Sequence, residues 1–394
     1  MVLRIFEIES KEKAFNKIGE TGADERAYPY LYPKMIHLSI EIKDVRARDA
    51  NIIKQEMLSK GGDASISRDS YSLKNGVGKI LLTGNLKCYL EVAKKLRIQP
   101  IKRIKVMADE IENGMRNYLS EPLIRVRDKA YKKPLIMGIL NVTPDSFSDG
   151  KKFIDPRKAL QRAIEMQDEG ADIIDMGGES TRPGFTRISA EEEKRRVIPA
   201  IKKIVEDGRV KIPLSVDTTK LEIAEKCLKL GVDIINDQGG LQIEKRDNDG
   251  FAKLVRDHGA SIILMHNKKI GEDTMFEVIE SLGKSVGIAE RNGIEKDRIS
   301  IDPGIGFGKN VEQNLEVLSN LKELKTLGKV ITVGASRKSF IGKTLNKNVN
   351  DRIEGSLASL VYALTQGAKI VRVHDVKESA LAARMAEAIL KKQY

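Results

Sequence analysis

Met137-Gly-Ile-Leu-Asn-Val-Thr-Pro-Asp-Ser-Phe-Ser-Asp-Gly150 begins as an apolar run and ends as a polar loop. Leu135 to Leu140 carries no polar side chain, the composition of a strand buried on both faces. Asn141 closes the run, and Thr143-Pro144-Asp145 opens a loop holding one bulky aromatic, Phe147. An enzyme barrel presents its chemistry in this way, with a buried strand that stops at an amide and releases a polar loop at the open end.

The arrangement recurs downstream. Apolar runs predict strands at Asp172–Met176, Pro213–Val216, Asp233–Ile235, Ser261–Met265, Ile299–Ile301, Val330–Val333 and Lys369–Val373. Between them, helical periodicity predicts helices at 156–169, 190–206, 219–230, 249–257, 275–291, 311–326, 352–367 and 377–391. Eight strand–helix units over roughly 260 residues favour an α/β fold closed as a (β/α)8 TIM barrel over a doubly wound open sheet. Local signals agree: Ser189 and Glu192 have capping-box spacing, and Pro156 follows Asp155 at a first-turn position.

Residues 1–130 read differently, as an accessory N-terminal domain before a barrel at 134–394. Tyr28-Pro-Tyr-Leu-Tyr-Pro33 reads as a turn-rich aromatic cluster, Met35 to Ile42 as a strand, and Val45 to Lys60 as a helix ended by Gly61-Gly62. Strands near Ala64–Ser67 and Lys79–Thr83 and a helix at Leu86–Leu96 complete a small α/β or α+β domain. The basic residues Lys102, Arg103, Lys105, Arg125, Arg127, Lys129, Lys132 and Lys133 read as a solvated face and linker.

Composition narrows the function classes. Of 394 residues 41% are hydrophobic, enough for a sizeable core, yet no apolar run approaches the roughly 18 residues that span a membrane. The start Met1-Val-Leu-Arg-Ile-Phe-Glu lacks a signal-peptide pattern, so a soluble, cytoplasmic protein is expected. The two cysteines, Cys88 and Cys227, make no metal or redox spacing. A net charge of +12 favours anionic partners, but without tryptophan or basic runs interleaved with aromatics no nucleic-acid partner is expected.

The strands end in Asn141, Asp175, Asp217-Thr218, Asn236-Asp237, Met265-His266, Asp302, Gly334-Ala-Ser-Arg-Lys-Ser339 and Arg372-Val-His374-Asp375. Any one of these polar residues is most simply a helix cap. Eight on one rim are harder to dismiss, because unpaired buried carboxylates are costly and call for a polar ligand. Asp217, Asn236 and Asp302 suit a flat heterocycle with amino and ring N–H groups, such as a pterin or guanine, and Lys338 suits its carbonyl or ring nitrogen. Ser336, Arg337, Ser339, Arg372 and His374 form a cationic corner beside Asn141, where barrels often bind phosphate. Gly304-Ile-Gly-Phe-Gly-Lys309 is not a Walker A loop; its glycines let the backbone approach a ligand, with Phe307 as a wall. A tightly held protein-only metal site is not expected, whereas Mg2+ arriving with a diphosphate is compatible.

Taken in order, the motifs resemble those of dihydropteroate synthases. They are Gly138–Asp149, Asp175-Met-Gly-Gly-Glu-Ser-Thr-Arg-Pro-Gly184, Ser215-Val-Asp-Thr218, Ile235-Asn-Asp237, Leu264-Met-His266, Asp302–Lys309, Ser336-Arg-Lys-Ser339 and Arg372-Val-His-Asp-Val376. The resemblance covers essentially all of 134–394 and leaves residues 1–130 outside. It implies condensation of 6-hydroxymethyl-7,8-dihydropterin diphosphate with 4-aminobenzoate, releasing pyrophosphate, in a protein that is typically a homodimer. By motif position, Asp217, Asn236, Asp302 and Lys338 would hold the pterin, with Met265 beside it. Asn141 would meet Mg2+ and diphosphate, which Arg372 and His374 would also bind; catalysis would rest on these three and Lys338. Thr181, Arg182, Phe307 and Ser339 would border the arylamine, and loops 142–150 (with Phe147) and 181–188 would close over both substrates.

Two stretches depart from the family pattern, Gly150-Lys151-Lys152-Phe153 and Phe185-Thr-Arg-Ile188. The added cation in the second would favour a larger or anionic arylamine. This keeps open a variant synthase that takes a ribosyl-arylamine phosphate, as in methanopterin assembly. A pterin-dependent methyltransferase is a further alternative, though it has no use for the diphosphate corner. A non-catalytic pterin-binding protein would not need both lids and Lys338.

Overall fold

The computed structural model describes residues 2–71, 76–143, 155–179 and 188–392. The chain divides into two compact units, Met1–Ser120 with Lys391–Tyr394, and Glu121–Leu390. No helix among the described residues is long and apolar enough to cross a membrane.

In the first unit, strands β1 (His37–Arg46), β2 (Asp63–Ile66) and β3 (Val77–Asn85) form an antiparallel sheet in the order β1-β3-β2. Helices Ala47–Ser59, Leu86–Ile98 and Lys102–Leu119 share its core through Ile53, Met57, Tyr89, Leu96, Ile104 and Ile111. The buried Tyr89 hydroxyl donates to the Leu38 carbonyl at 2.9 Å, so the ring is buried without an orphaned O–H.

Two sequence expectations fail in this unit. The aromatic stretch is not a turn but a helix, Tyr28–Met35, with Pro29 in its first turn, where no N–H is needed. Lys102–Leu119 is not a linker: Ile104, Met107, Ala108, Ile111 and Met115 recur at helical spacing and are buried, while the lysines occupy the other face.

The second unit opens with a hairpin, β4 (Ile124–Val126) and β5 (Lys129–Tyr131). Eight parallel strands follow: β6 (Leu135–Asn141), β7 (Ile173–Gly177), β8 (Leu214–Asp217), β9 (Ile234–Asp237), β10 (Ser261–Met265), β11 (Ile299–Asp302), β12 (Val330–Val333) and β13 (Ala368–Val373). They close in sequence order, β13 pairing back onto β6 with Arg372 opposite Met137. The fold is the expected TIM barrel.

Side-chain alternation decides what the barrel presents. Leu135, Met137, Ile173, Ile234, Ile263, Val330 and Ile370 form one internal cluster with Ile124 and Val126 of the hairpin, which therefore closes the N-terminal end. Their neighbours Ile136, Ile174, Ile235, Ile262, Ile331 and Val371 join the separate cluster beneath the surrounding helices. Lys129 of the hairpin is exposed as expected, but its two arginines are paired. Arg127 pairs with Asp233 at 2.6 and 2.9 Å, and Arg125 reaches Asp297 at 3.0 Å, fastening the hairpin to the barrel.

The helices follow expectation except after β11 and β12. The span 311–326 is an α-helix Val311–Ser319 and then a 3-10 segment Leu321–Leu327. Leu321, Leu324 and Leu327 are three residues apart and pack inward, a spacing that suits a three-residue turn. A further short helix, Ser339–Leu345, follows β12.

Candidate active site

One inward step above the apolar cluster, the barrel turns polar. Asp175, Ser215, Asp217, Asn236, Met265 and Asp302 are buried there, all on the inward-facing register of their strands. Arg372 ties the group together: its Nε donates to Asp175 Oδ2 at 2.6 Å and its Nη2 to Asp217 Oδ2 at 2.8 Å. Asp175 also accepts from Ser215 Oγ at 2.6 Å and Asn236 Nδ2 at 3.1 Å, and Asp217 from Gln238 Nε2 at 2.7 Å. The adjacent Asp237 falls on the outward register and is bound by Arg246 at 2.9 and 2.7 Å, which separates it from the site.

Across the mouth, Asp302 Oδ1 accepts from Gly304 N at 2.7 Å. The Lys338 ammonium donates to the Ile305 carbonyl and lies 4.3 Å from the centre of the Phe307 ring. Burial pushes the Asp217 carboxyl up to about 7; Arg372 opposes the rise and Asp175 adds to it. Burial likewise raises Asp302, against the pull of Lys338. The Lys338 ammonium is lowered to about 7 by burial, with Asp302 holding it back. A buried carboxylic acid and a half-buried amine are thus brought to the middle of the pH range, as is common where groups act on a ligand.

The corner expected to bind phosphate lies where β12 and β13 end. Ser336 Oγ accepts from the His374 backbone N–H at 3.2 Å and lies 3.1 Å from its Nδ1. Arg337 does not face this corner as a free cation; it pairs with Asp375 at 2.9 and 2.5 Å. Asn141, half-buried at the end of β6, lies on the neighbouring strand. Ser339 is exposed at the first position of its helix. Thr181, Arg182 and Phe147 lie outside the described residues, as do most of loops 142–150 and 181–188 and both departures from the family pattern except Ile188.

A cavity of about 830 Å3 opens beside the mouth, lined by Asp217, Met265 and Phe307 together with Lys220, Arg246 and Lys268. Among the described residues no cluster of three or more His, Cys, Asp and Glu could hold a metal ion. Sequence reading placed Asp175 and His266 on the rim without giving either a role, and gave no role to Gln238 or Lys309. Alternation within β7 places Asp175 inward and could have found it; Gln238 lies in a loop beyond the end of β9 and carried no such signal.

Comparison with known proteins adds a second line of observation. The family described as pterin binding enzyme matches residues 137–374. A dihydropteroate synthase of Clostridium beijerinckii is 47% identical over 264 residues, 66% of this chain and 96% of that one. The structure resembles that of a Clostridium difficile dihydropteroate synthase determined in the presence of pteroic acid, with 48% identity and a TM-score of 0.62 over 66% of this chain and 97% of the other. A probable bifunctional folylpolyglutamate synthase/dihydropteroate synthase of Halobacterium salinarum is 34% identical over 365 residues, 90% of this chain and 43% of that protein.

Proposed function

The chain belongs to the family of pterin-binding enzymes, and from that premise we infer that it is a dihydropteroate synthase. It condenses 6-hydroxymethyl-7,8-dihydropterin diphosphate with 4-aminobenzoate to give 7,8-dihydropteroate and pyrophosphate. The observation that carries this reading is the buried mouth: Asp217 and Asp175 on one guanidinium, with Lys338 and Asp302 opposite.

In this reading the two bonds that Asp217 receives both end on Oδ2, so Oδ1 meets a pterin N–H. Asn236 has one N–H committed to Asp175 and keeps its carbonyl oxygen and second N–H for the ring. Asp302 takes the remaining ring donors, and the Lys338 ammonium donates to the ring carbonyl or a ring nitrogen. The C–O bond to the diphosphate breaks, its electrons leave with pyrophosphate, and the dihydropterin ring delocalises the positive charge on the methylene. The arylamine nitrogen then forms the new C–N bond and loses a proton, so no protein nucleophile is needed. Arg372 and His374 stabilise the departing charge. Phe307 and the cavity wall exclude water from the cation.

Magnesium belongs to the proposal as an ion carried in by the diphosphate. The chemistry at the corner fits such an ion, because Asn141 at the end of β6 carries a hard amide oxygen donor. When bound, the ion neutralises phosphate oxygens. Pyrophosphate release is expected only with pterin diphosphate, arylamine and Mg2+ together. A panel of arylamines, with and without ribose phosphate, assayed for released pyrophosphate tests the reading and identifies the acceptor. Pterin binding with no pyrophosphate from any arylamine would overturn it.

The homodimer and the cytoplasmic location belong to the same proposal. Leu381, Met385 and Ile389 make an exposed stripe (58, 63 and 53%) along helix Val376–Leu390, and Tyr362 is exposed on helix Ile353–Thr365. A two-fold contact would cover such a stripe on both copies at once. Leu381→Glu with Met385→Glu is expected to shift the protein to monomers in sedimentation; an unchanged mass would place any interface elsewhere. Both cysteines are free and buried, in keeping with a reducing compartment.

A further inference from the structure

The Gly304–Lys309 loop carries a lysine that the reaction above does not use. Lys309 turns back under its own loop. Its Nζ is 3.1 Å from the Gly304 carbonyl oxygen, 3.2 Å from that of Phe307 and 3.0 Å from His266 Nδ1. An ammonium has three N–H donors, and here three acceptors surround it. Burial and the nearby lysines push the His266 imidazole down to about 3, so it is neutral and its Nδ1 can accept from an ammonium.

What this clamp holds is the backbone facing the arylamine side. Gly304, Gly306 and Gly308 all have positive φ (66, 83 and 62°), and a methyl group on Gly304 would meet the His266 carbonyl at 1.9 Å. Three side-chain bonds fix so sharp a turn, and one of them is long-range: Lys309 Nζ reaches His266 Nδ1 across 43 residues, while Gly306 N donates to Asn314 Oδ1 (2.6 Å) and Gly304 N to Asp302 Oδ1 (2.7 Å). The loop in turn supplies the carbonyl that receives Lys338 and the ring beneath that ammonium.

We propose that Lys309, clamped on His266, is a positioning residue that fixes Phe307 and the Ile305 carbonyl for the arylamine half-site. This rests on the synthase reading for its kinetic arm but not for its structural arm. Lys309 touches no reacting atom in this proposal. Its loss misplaces the wall and the Lys338 partner while leaving Asp217 and Asn236 in place. A displacement near 1 Å at such a wall is enough to cost on the order of 10²-fold in turnover.

The test uses the full chain carrying Lys309→Met, which keeps length and removes the donors. The expected result is faster amide exchange at Gly304–Gly308, with the barrel strands unchanged. The arylamine KM rises at least about tenfold, while the calorimetric Kd of the free pterin alcohol rises by about threefold at most, since Asp217 and Asn236 stay in place and only the partner of Lys338 shifts. His266→Leu, which removes one acceptor and leaves the lysine, repeats both shifts at smaller size and stands in if Lys309→Met does not fold. Unchanged exchange in either variant overturns the clamp. Equal losses in arylamine KM and pterin Kd overturn the positioning role. If the wild-type protein releases no pyrophosphate the synthase reading fails, and the exchange experiment still decides the clamp.

Discussion

Arg372→Ala is expected to lower kcat/KM by on the order of 10³ and to destabilise the protein by about 3 kcal/mol. Both effects come from one guanidinium. Arg372 is 15% exposed at its side chain and holds two carboxylates that have almost no water. Removing it leaves Asp175 and Asp217 close together and uncompensated, and repulsion with desolvation then drives one of them to take up a proton. A protonated Asp217 is a poorer acceptor for a pterin N–H, so binding of the free pterin alcohol weakens too. Binding of the diphosphate weakens more, because it also loses a cation at the leaving group. Urea unfolding and calorimetry with both ligands read these effects separately. Equal losses for alcohol and diphosphate would reduce Arg372 to a scaffold for Asp217. Undiminished stability would mean that the buried pairing does not persist in solution. Asp217→Asn in the same chain should cost less than the sum of the single losses, since the second change removes one of the two charges left unbalanced.

That coupling shows where sequence reading stops. The barrel was legible because a buried strand and an amphipathic helix each impose a period on the chain, and eight repeats outweigh local ambiguity. Polar residues at the strand ends were legible for the same reason. Which of them share one mouth depends on register: Asp237 adjoins Asn236 in sequence, yet one residue along a strand turns it to the outer face and to Arg246. Arg372 was assigned to a diphosphate from its motif. Its bonds to Asp175 and Asp217 span 197 and 155 residues, and no local pattern encodes a pairing across such distances. Arg125 and Arg127 were misread for this reason: a basic residue near a linker looks solvated until its partner, here Asp297 or Asp233, is brought beside it. Lys309 was quoted in a glycine-rich motif, and only the fold shows the lysine bending back beneath it.

The pH dependence of kcat/KM should be a narrow bell centred near pH 7. The free enzyme is competent when Asp217 is ionised, to accept from the pterin, and Lys338 is charged, to donate to it. Asp217 is raised to about 7, so activity is lost as pH falls through that value. Lys338 is lowered to about 7, so activity is lost as pH rises through it. The ordinary carboxyl and ammonium values, near 4 and 10, would instead give a plateau about six units wide. Burial is the largest cause of both shifts, and it therefore converts a plateau into a peak. Each limb has its own control. Lys338→Arg keeps a group that stays charged across the range and should remove the basic limb from whatever activity remains. Asp217→Asn should remove the acid limb. The kcat profile should be broader than that of kcat/KM, because bound pterin N–H donors favour the ionised Asp217 and a bound ring acceptor favours the charged Lys338. A flat kcat/KM between about pH 5.5 and 8.5 would mean that neither group is desolvated in the free enzyme, and the case for a dry mouth that recognises a heterocycle by charge would go with it.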